Sequence, residues 1–304
     1  MVSSKKYLIV IGGATASGKT ALAIAVAKQA QTAIISADSR QFYREMSIGT
    51  AKPTAAELSE VPHHFIGNLS IHDNYSVGDF EKESLLALDN IFKKNNVAIM
   101  VGGTGLYIRA VCEGLDVFPQ PPLSTQQYFQ DMFEKEGIEP LQKMLQNVDN
   151  QYFMEVDIQN SQRLIRALSV WKASGQPFSS FRTKQKKIRN FTPIYIVTDV
   201  ERPILYDKIN KRVDMMIDNG LIAEANNLWT FKQLNALQTV GYQELFDHFD
   251  GKISLNEAID KIKQHTRNYA KRQITWFNKE PFWNRFDPSD TEGVIKFINE
   301  IIRL

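Results

Sequence analysis

One cysteine, Cys112, stands in the whole chain. An intrachain disulfide is therefore impossible, and so is a cysteine-rich zinc module. A reducing compartment is the expected home. Long apolar runs are missing as well. Met1-Val2-Ser3-Ser4-Lys5-Lys6 leads into Tyr7-Leu8-Ile9-Val10-Ile11, and glycines follow at once. That run is too short for a signal peptide or a membrane span, so a cytoplasmic protein without membrane contact is expected. Charge of one sign is also lacking: 36 basic side chains meet 34 acidic ones, a net charge of +2. A globally cationic nucleic-acid binder is not implied, and only local basic patches remain open. Internal repeats and low-complexity tracts are absent. A monomer is the default expectation.

What remains is a core-forming chain of 304 residues, suited to one large domain or one domain with an inserted lobe. Tyr7–Ile11 is a short, β-branched apolar run that ends at glycines, as a buried parallel strand does. Ala21–Ala30 is rich in strong helix formers. Thr32–Ile35 and Val97–Val101 read as further strands, and Asp79–Phe92 has apolar residues at helical spacing. This alternation predicts an α/β fold, a P-loop NTPase-like doubly wound parallel sheet. The pattern breaks at Phe118-Pro119-Gln120-Pro121-Pro122, a stiff connector. From Ser124 to about Ser180 only helical periodicity is visible, and Pro193–Val197 restores a strand. The expected organisation is a core of residues 1–118 and 191–304 with an all-helical lobe, 119–190, inserted in it. After Val200 the chain reads helical almost to its end.

Gly13-Ala14-Thr15-Ala16-Ser17-Gly18-Lys19-Thr20 fits the eight-position phosphate-loop pattern in full. Glycines let the backbone wrap closely and turn its N–H groups inward. The following helix adds the positive end of its dipole. Lys19 supplies a charge to phosphate oxygens, and Thr20 offers a hydroxyl to a bridging magnesium ion. A strand before the loop and a helix after it make the match specific.

The loop alone does not name a reaction. P-loop kinases and NTPases usually carry an Asp at the end of a buried strand, for magnesium. Val97–Val101 ends instead in Gly102-Gly103-Thr104-Gly105, without an acid. The nearest acid after a strand is Asp38, which the doubly wound sheet places at its carboxyl edge beside the loop. A carboxylate there serves as a base or a metal ligand; its bland alternative is a turn or helix-cap residue. Thr104 either meets substrate or caps the helix that begins at Leu106. A small-molecule or nucleotide kinase is the alternative enzyme, and an RNA-binding module without chemistry is a third reading.

These segments resemble the tRNA dimethylallyltransferase (tRNA isopentenyltransferase) family, bacterial type. Beside Gly13–Thr20 the likeness rests on Asp38-Ser39-Arg40-Gln41, Ile48-Gly49-Thr50-Ala51-Lys52-Pro53, Pro62-His63-His64 and Val101–Tyr107. It continues through Asn160–Leu168, Arg212 with Gly220-Leu221, Val240-Gly241-Tyr242 and Thr266–Phe277. The resemblance implies transfer of a dimethylallyl group from dimethylallyl diphosphate to N6 of an adenosine. That adenosine lies immediately 3′ of the anticodon in tRNAs that read codons beginning with U. Diphosphate leaves and magnesium is required. By the same resemblance Asp38, Thr104 and Arg212 are catalytic, and Gly13–Thr20 hold the diphosphate. The tRNA anticodon stem-loop is met by Asp38, Ser39, Arg40, Gln41, Thr104, Gln126, Gln162, Arg163, Leu164, Ile165, Arg166, Arg267, Lys271 and Arg272. The adenine is expected to leave its stack to reach the buried loop.

Departures from the family pattern are Ala14 in place of Pro, and Phe65-Ile66-Gly67-Asn68 in place of a segment with an acid. Gln126-Gln127 stands where an Arg is usual. The C-terminal zinc finger of eukaryotic relatives is not expected. Two basic clusters, Arg182–Arg189 and Lys261, Lys263, Arg267, Lys271 and Arg272 around His265, suit a phosphate backbone, the second favoured by the resemblance. His63 and His64 are adjacent and lack a third ligand, so no metal site is expected there. Trp276 and Phe277 are expected to be core.

Overall fold

The computed structural model describes residues 5–183 and 185–303, so Met1–Ser4, Lys184 of the first basic cluster and Leu304 lie outside the described residues. Backbone contacts divide the chain into two compact units. One holds the residues up to Glu113 and from Ile188 onward; the other is Gly114–Lys187.

The larger unit opens with strand β1 (Tyr7–Gly12), helix α1 (Lys19–Gln29) and β2 (Ile34–Ser36). Helix α2 (Ala55–Glu60), β3 (His63–His64), α3 (Val77–Phe92), β4 (Val97–Gly102) and α4 (Gly105–Glu113) follow. The strands form one sheet with β4 inserted between β2 and β1, each neighbouring pair parallel. Alternate β1 residues go to opposite faces, as the pleat requires. Leu8 and Val10 meet Phe80 and Leu88 of α3 and Ile108 of α4. Ile9 and Ile11 meet Leu22, Ala23 and Val26 of α1. Burial on both faces explains the uninterrupted apolar runs in β1 and β4.

The smaller unit is helical: α5 (Leu123–Glu136), α6 (Glu139–Val148), α7 (Asn150–Glu155) and α8 (Ser161–Ser174). Its core joins Phe129, Leu141, Leu145, Leu164, Ile165 and Leu168. The unit begins a few residues earlier than the stiff connector suggests. Phe118 stacks on Phe178 at 4.4 Å between ring centroids, and Asp116 accepts from the Thr183 hydroxyl at 2.6 Å. Those contacts make the connector part of the helical unit.

The larger unit resumes with β5 (Thr192–Thr198), which pairs with β1, and α9 (Arg202–Asp218), α10 (Leu221–Leu228), α11 (Tyr242–Phe249) and α12 (Leu255–Phe277). A sixth strand, β6 (Asn284–Phe286), adds to β5 at the sheet edge before α13 (Thr291–Arg303). Sequence periodicity reads this stretch as helical; three residues, two of them exposed, hold too little pattern to betray a strand. The second strand also begins later than Thr32, because the Thr32 N–H still bonds to the Ala27 carbonyl at the end of α1. A further core gathers Tyr43 and Met46 with Leu221, Tyr242, Phe246 and Ile262, so α9–α12 pack as a helical annex on the segment after β2. Among the described residues no helix is long and apolar enough to cross a membrane.

Candidate active site

The phosphate loop runs from the end of β1 into α1. Gly18 takes φ 85° and Ala16 φ 61°, both left-handed, so the backbone curls into the concave form that binds anions. Two of its predicted diphosphate residues face inward on the protein. Ser17 is buried, its hydroxyl 2.6 Å from that of Thr198 at the end of β5. Ala14 is buried, and its carbonyl accepts from Lys19 Nζ at 3.1 Å. Thr15, Lys19 and Thr20 line open space.

Asp38 follows β2 as the doubly wound sheet requires. Its carboxylate accepts from the Arg40 N–H at 3.1 Å, so the turn role and a position at the cavity coexist. Thr104 stands at the matching end of β4. Its hydroxyl accepts from the Ser39 N–H at 3.5 Å and hydrogen-bonds Tyr269 of α12, while its carbonyl accepts from the Tyr107 and Ile108 N–H groups at 3.0 and 3.2 Å where α4 begins. The two strand ends lie close because both residues between them are small: a Cβ on Gly102 would collide with the Ala37 carbonyl.

A cavity of about 440 Å³ is bordered by Lys19, Asp38, Thr104, Arg212, Tyr269 and Arg272. Burial lowers the Lys19 ammonium to about 8, with Asp38 countering and the Arg212 charge adding to the shift. Burial also lowers Arg212, against the attraction of Asp38. The Tyr269 hydroxyl is pushed up to about 12 by burial and then by the Asp38 charge. Lys19, Arg40, Arg212 and Arg272 therefore surround one carboxylate, Asp38, in one space, which suits an anion arriving beside a proton acceptor. The same cavity has an apolar lining from Ile209, Val213, Met216, Leu221, Val240 and Ile262. An adjoining cavity of about 40 Å³ shares Thr15, Lys19, Asp38 and Arg212 and adds Thr20, Ser36 and Gln41.

Several predicted RNA contacts are spent inside the protein. Arg40 donates to the carbonyls of Asn235, Ala236 and Gln238 at 2.9–3.2 Å. The Gln41 amide donates to the Thr50 and Ala51 carbonyls at 3.2 and 3.1 Å. Arg267 donates to Asn210 Oδ1 at 2.6 Å. Lys271 and Arg272 are exposed on α12, with Arg272 over the Tyr269 ring. On α8, Gln162, Arg163 and Arg166 are exposed, whereas Leu164 and Ile165 belong to the core of the helical unit. Helical spacing explains the correction: residues between two outward arginines three apart turn inward. Gln126 sits half-buried on α5, whose Gln130 accepts from Gln162 at 3.4 Å. His63 Nδ1 lies 2.9 Å from the Val61 carbonyl, and no cluster of metal-ligating side chains occurs among the described residues. Phe277 is core, as expected, and Trp276 packs on Gly105.

The sequence did not single out Glu224, Tyr269 or Gln273. Glu224 Oε2 accepts from the Ser47 and Ile48 N–H groups and Oε1 from the Gly49 N–H, all within 2.9 Å. Tyr242 donates its hydroxyl to the same carboxylate at 2.7 Å. One signal was available for the others: Thr266, Tyr269 and Gln273 recur at helical spacing within a helix otherwise rich in charge.

A family model described as IPP transferase matches residues 41–280. The chain is 50% identical over 300 residues to a tRNA dimethylallyltransferase of Flavobacterium psychrophilum, a match covering 96% of this chain and 98% of that one. A tRNA dimethylallyltransferase of Christiangramia forsetii is 51% identical, with 97% and 98% covered. The solved full-length tRNA isopentenylpyrophosphate transferase of Bacillus halodurans superposes with TM-score 0.74 at 33% identity, over 98% of this chain and 97% of that one. A eukaryotic dimethylallyltransferase solved acting on tRNA shares the fold, with TM-score 0.80 at 24% identity over 98% of this chain and 80% of that one. A phosphate loop facing an acid-free β4 end, and relatives alike over nearly the full chain, place this protein in the IPP transferase family, among the tRNA dimethylallyltransferases.

Proposed function

We propose that the protein moves a dimethylallyl group from dimethylallyl diphosphate to N6 of the adenosine 3′-adjacent to the anticodon, in tRNAs reading codons that begin with U. The observation that carries this reading is the single cavity in which Lys19 and Arg212, Asp38 with Thr104, and an apolar wall meet. Each part suits one part of the reaction. The phosphate loop, Lys19 and Arg212 receive the diphosphate and stabilise the charge that grows as the allylic C–O bond breaks. The apolar wall holds the five-carbon chain away from water. N6 attacks the allylic carbon, the C–O electron pair leaves with the diphosphate, and Asp38 accepts the N6 proton. Thr104, held by Tyr269, orients the amino group. The products are N6-dimethylallyl adenosine, diphosphate and one proton.

Magnesium belongs to this reading. The 40 Å³ cavity brings oxygen ligands from Thr20, Ser36, Asp38 and Gln41 beside the cations Lys19 and Arg212. Such a set suits a hard cation that keeps waters and shares substrate phosphates. Thr20 would hold it, and it would supply neutralising charge to the leaving group. A tRNA acceptor also implies the cytoplasm, and one chain contains every group named above, so a monomer suffices.

Incubation with magnesium, dimethylallyl diphosphate and unmodified tRNA should give prenylated adenosine and one diphosphate per transfer, with AMP a far poorer acceptor than tRNA. Indifference to tRNA together with ATP-dependent phosphate transfer would instead point to a kinase.

A further inference from the structure

Gln273 of α12 is 6% exposed, and its amide spans two loops that lie far apart in sequence. Its Oε1 accepts from the Thr15 N–H of the phosphate loop at 2.8 Å. Its Nε2 donates to the Gly103 carbonyl, in the turn that presents Thr104, at 3.1 Å. The fit is tight on both sides: a Cβ on Gly103 would strike Gln273 Nε2 and come within 3.2 Å of the Gly13 carbonyl. One turn earlier on the same helix face, Tyr269 bonds Thr104 and borders the cavity. Arg272 borders it too. A single amide thus ties together the loop that meets the diphosphate, the turn that meets the acceptor, and the helix between them.

The geometry has a second consequence. The Thr15 N–H, one of the phosphate-loop amides, is already satisfied by Gln273. Its direction is therefore set by α12 and not by the bound phosphates. A buried amide with both ends paired permits little drift, since an unmet partner on either side costs free energy.

We infer that Gln273 is a positioning residue that sets the phosphate loop against Thr104, and so couples acceptor docking on α12 to the alignment of the diphosphate. The inference rests on the transfer reaction proposed above. Gln273 lines the cavity, but both ends of its amide are taken by Thr15 and Gly103. It acts through Thr15 and Gly103 by fixing the distance between leaving group and nucleophile. Near-attack alignment is sensitive at the scale of one ångström, so a loosened clamp slows chemistry more than it weakens binding.

Gln273→Leu keeps most of the volume and removes both hydrogen bonds. At saturating tRNA its kcat should fall about tenfold to a hundredfold, with tRNA affinity changed less than about twofold. Saturating tRNA should also shift the dissociation constant for dimethylallyl diphosphate in the wild type and leave it unmoved in the variant. A double-mutant cycle separates alignment from general damage. Gly103→Ala should harm kcat, and that harm should be smaller in a Gln273→Ala background, where the amide no longer blocks the methyl group. Thermal unfolding of each variant identifies any that fail to fold; for those the cycle is read from the folded Gln273→Ala and Gln273→Asn forms. Wild-type kcat in folded Gln273→Leu would overturn the inference. So would a loss confined to tRNA affinity, which would make Gln273 an RNA contact. Absence of transfer by the wild type would sink the prenyltransferase reading itself, a distinct result.

Discussion

Lys19 shows how one residue carries both fold and chemistry. It opens α1, donates to the Ala14 carbonyl, and sits between Asp38 and Arg212 with its ammonium lowered to about 8. A depressed lysine value means that the unfolded chain holds this proton more firmly than the folded one. The burial cost is therefore present at low pH and is relieved as pH rises from about 8 towards 10.5. Ligand binding works in the opposite sense, because a diphosphate favours the charged form. Affinity for dimethylallyl diphosphate should fall as pH climbs above 8. Calorimetric titration at pH 8.5 in buffers of different ionisation heat should register proton uptake, which Lys19→Met should abolish. For Asp38, substitution by Asn preserves shape and removes the base. Its kcat should drop by about 10²–10⁴-fold with KM for dimethylallyl diphosphate little altered. A parallel rise in KM would move Asp38 to the leaving-group side of the site.

At the scale of elements, the segment after β2 is the instructive case. Residues 47–51 have no regular secondary structure, yet Gly49, Thr50 and Ala51 among them border the cavity. Their order comes from α10 and α11. Glu224 gathers three backbone N–H groups and the Tyr242 hydroxyl, and a Cβ on Gly49 would come within 2.6 Å of the Tyr242 ring. Three separate motifs, Ile48–Pro53, Gly220-Leu221 and Val240–Tyr242, are thus parts of one joint. Glu224→Ala should destabilise the protein by about 2 kcal/mol, since three donors lose a charged acceptor, and Tyr242→Phe by about 1 kcal/mol. Urea unfolding measures both. Equal effects of the two would show that the backbone donors find other partners.

Across the whole molecule, the two units carry different charged groups. Every residue around the charged cavity belongs to the larger unit, whereas Arg163 and Arg166 stand exposed on α8 of the helical one. Arg163→Ala should weaken tRNA binding and lower the slope of log K against log salt by about 1. Affinity for dimethylallyl diphosphate in the absence of tRNA should be unchanged. A salt slope equal to that of the wild type would assign Arg163 a structural part.

Much of this was legible before folding. The phosphate loop, the strands β1 and β4, the doubly wound sheet and the helical insertion follow from local pattern, because glycine turns and apolar periodicity act over a few residues. Asp38 and Thr104 could be placed as well, since a parallel sheet brings the carboxyl ends of its strands to one edge. Other features required the third dimension. Helical spacing sets Leu164 and Ile165 away from the two arginines, and packing in the core of the helical unit makes theirs the buried side of α8. Arg40 and Gln41 went to backbone carbonyls that lie near them only after folding. The three-residue β6 exists because β5 offers it an edge. The phosphate loop itself was written in the chain from the start; the clamp that aims it, Gln273, lies more than two hundred residues away and is decided by tertiary contact alone.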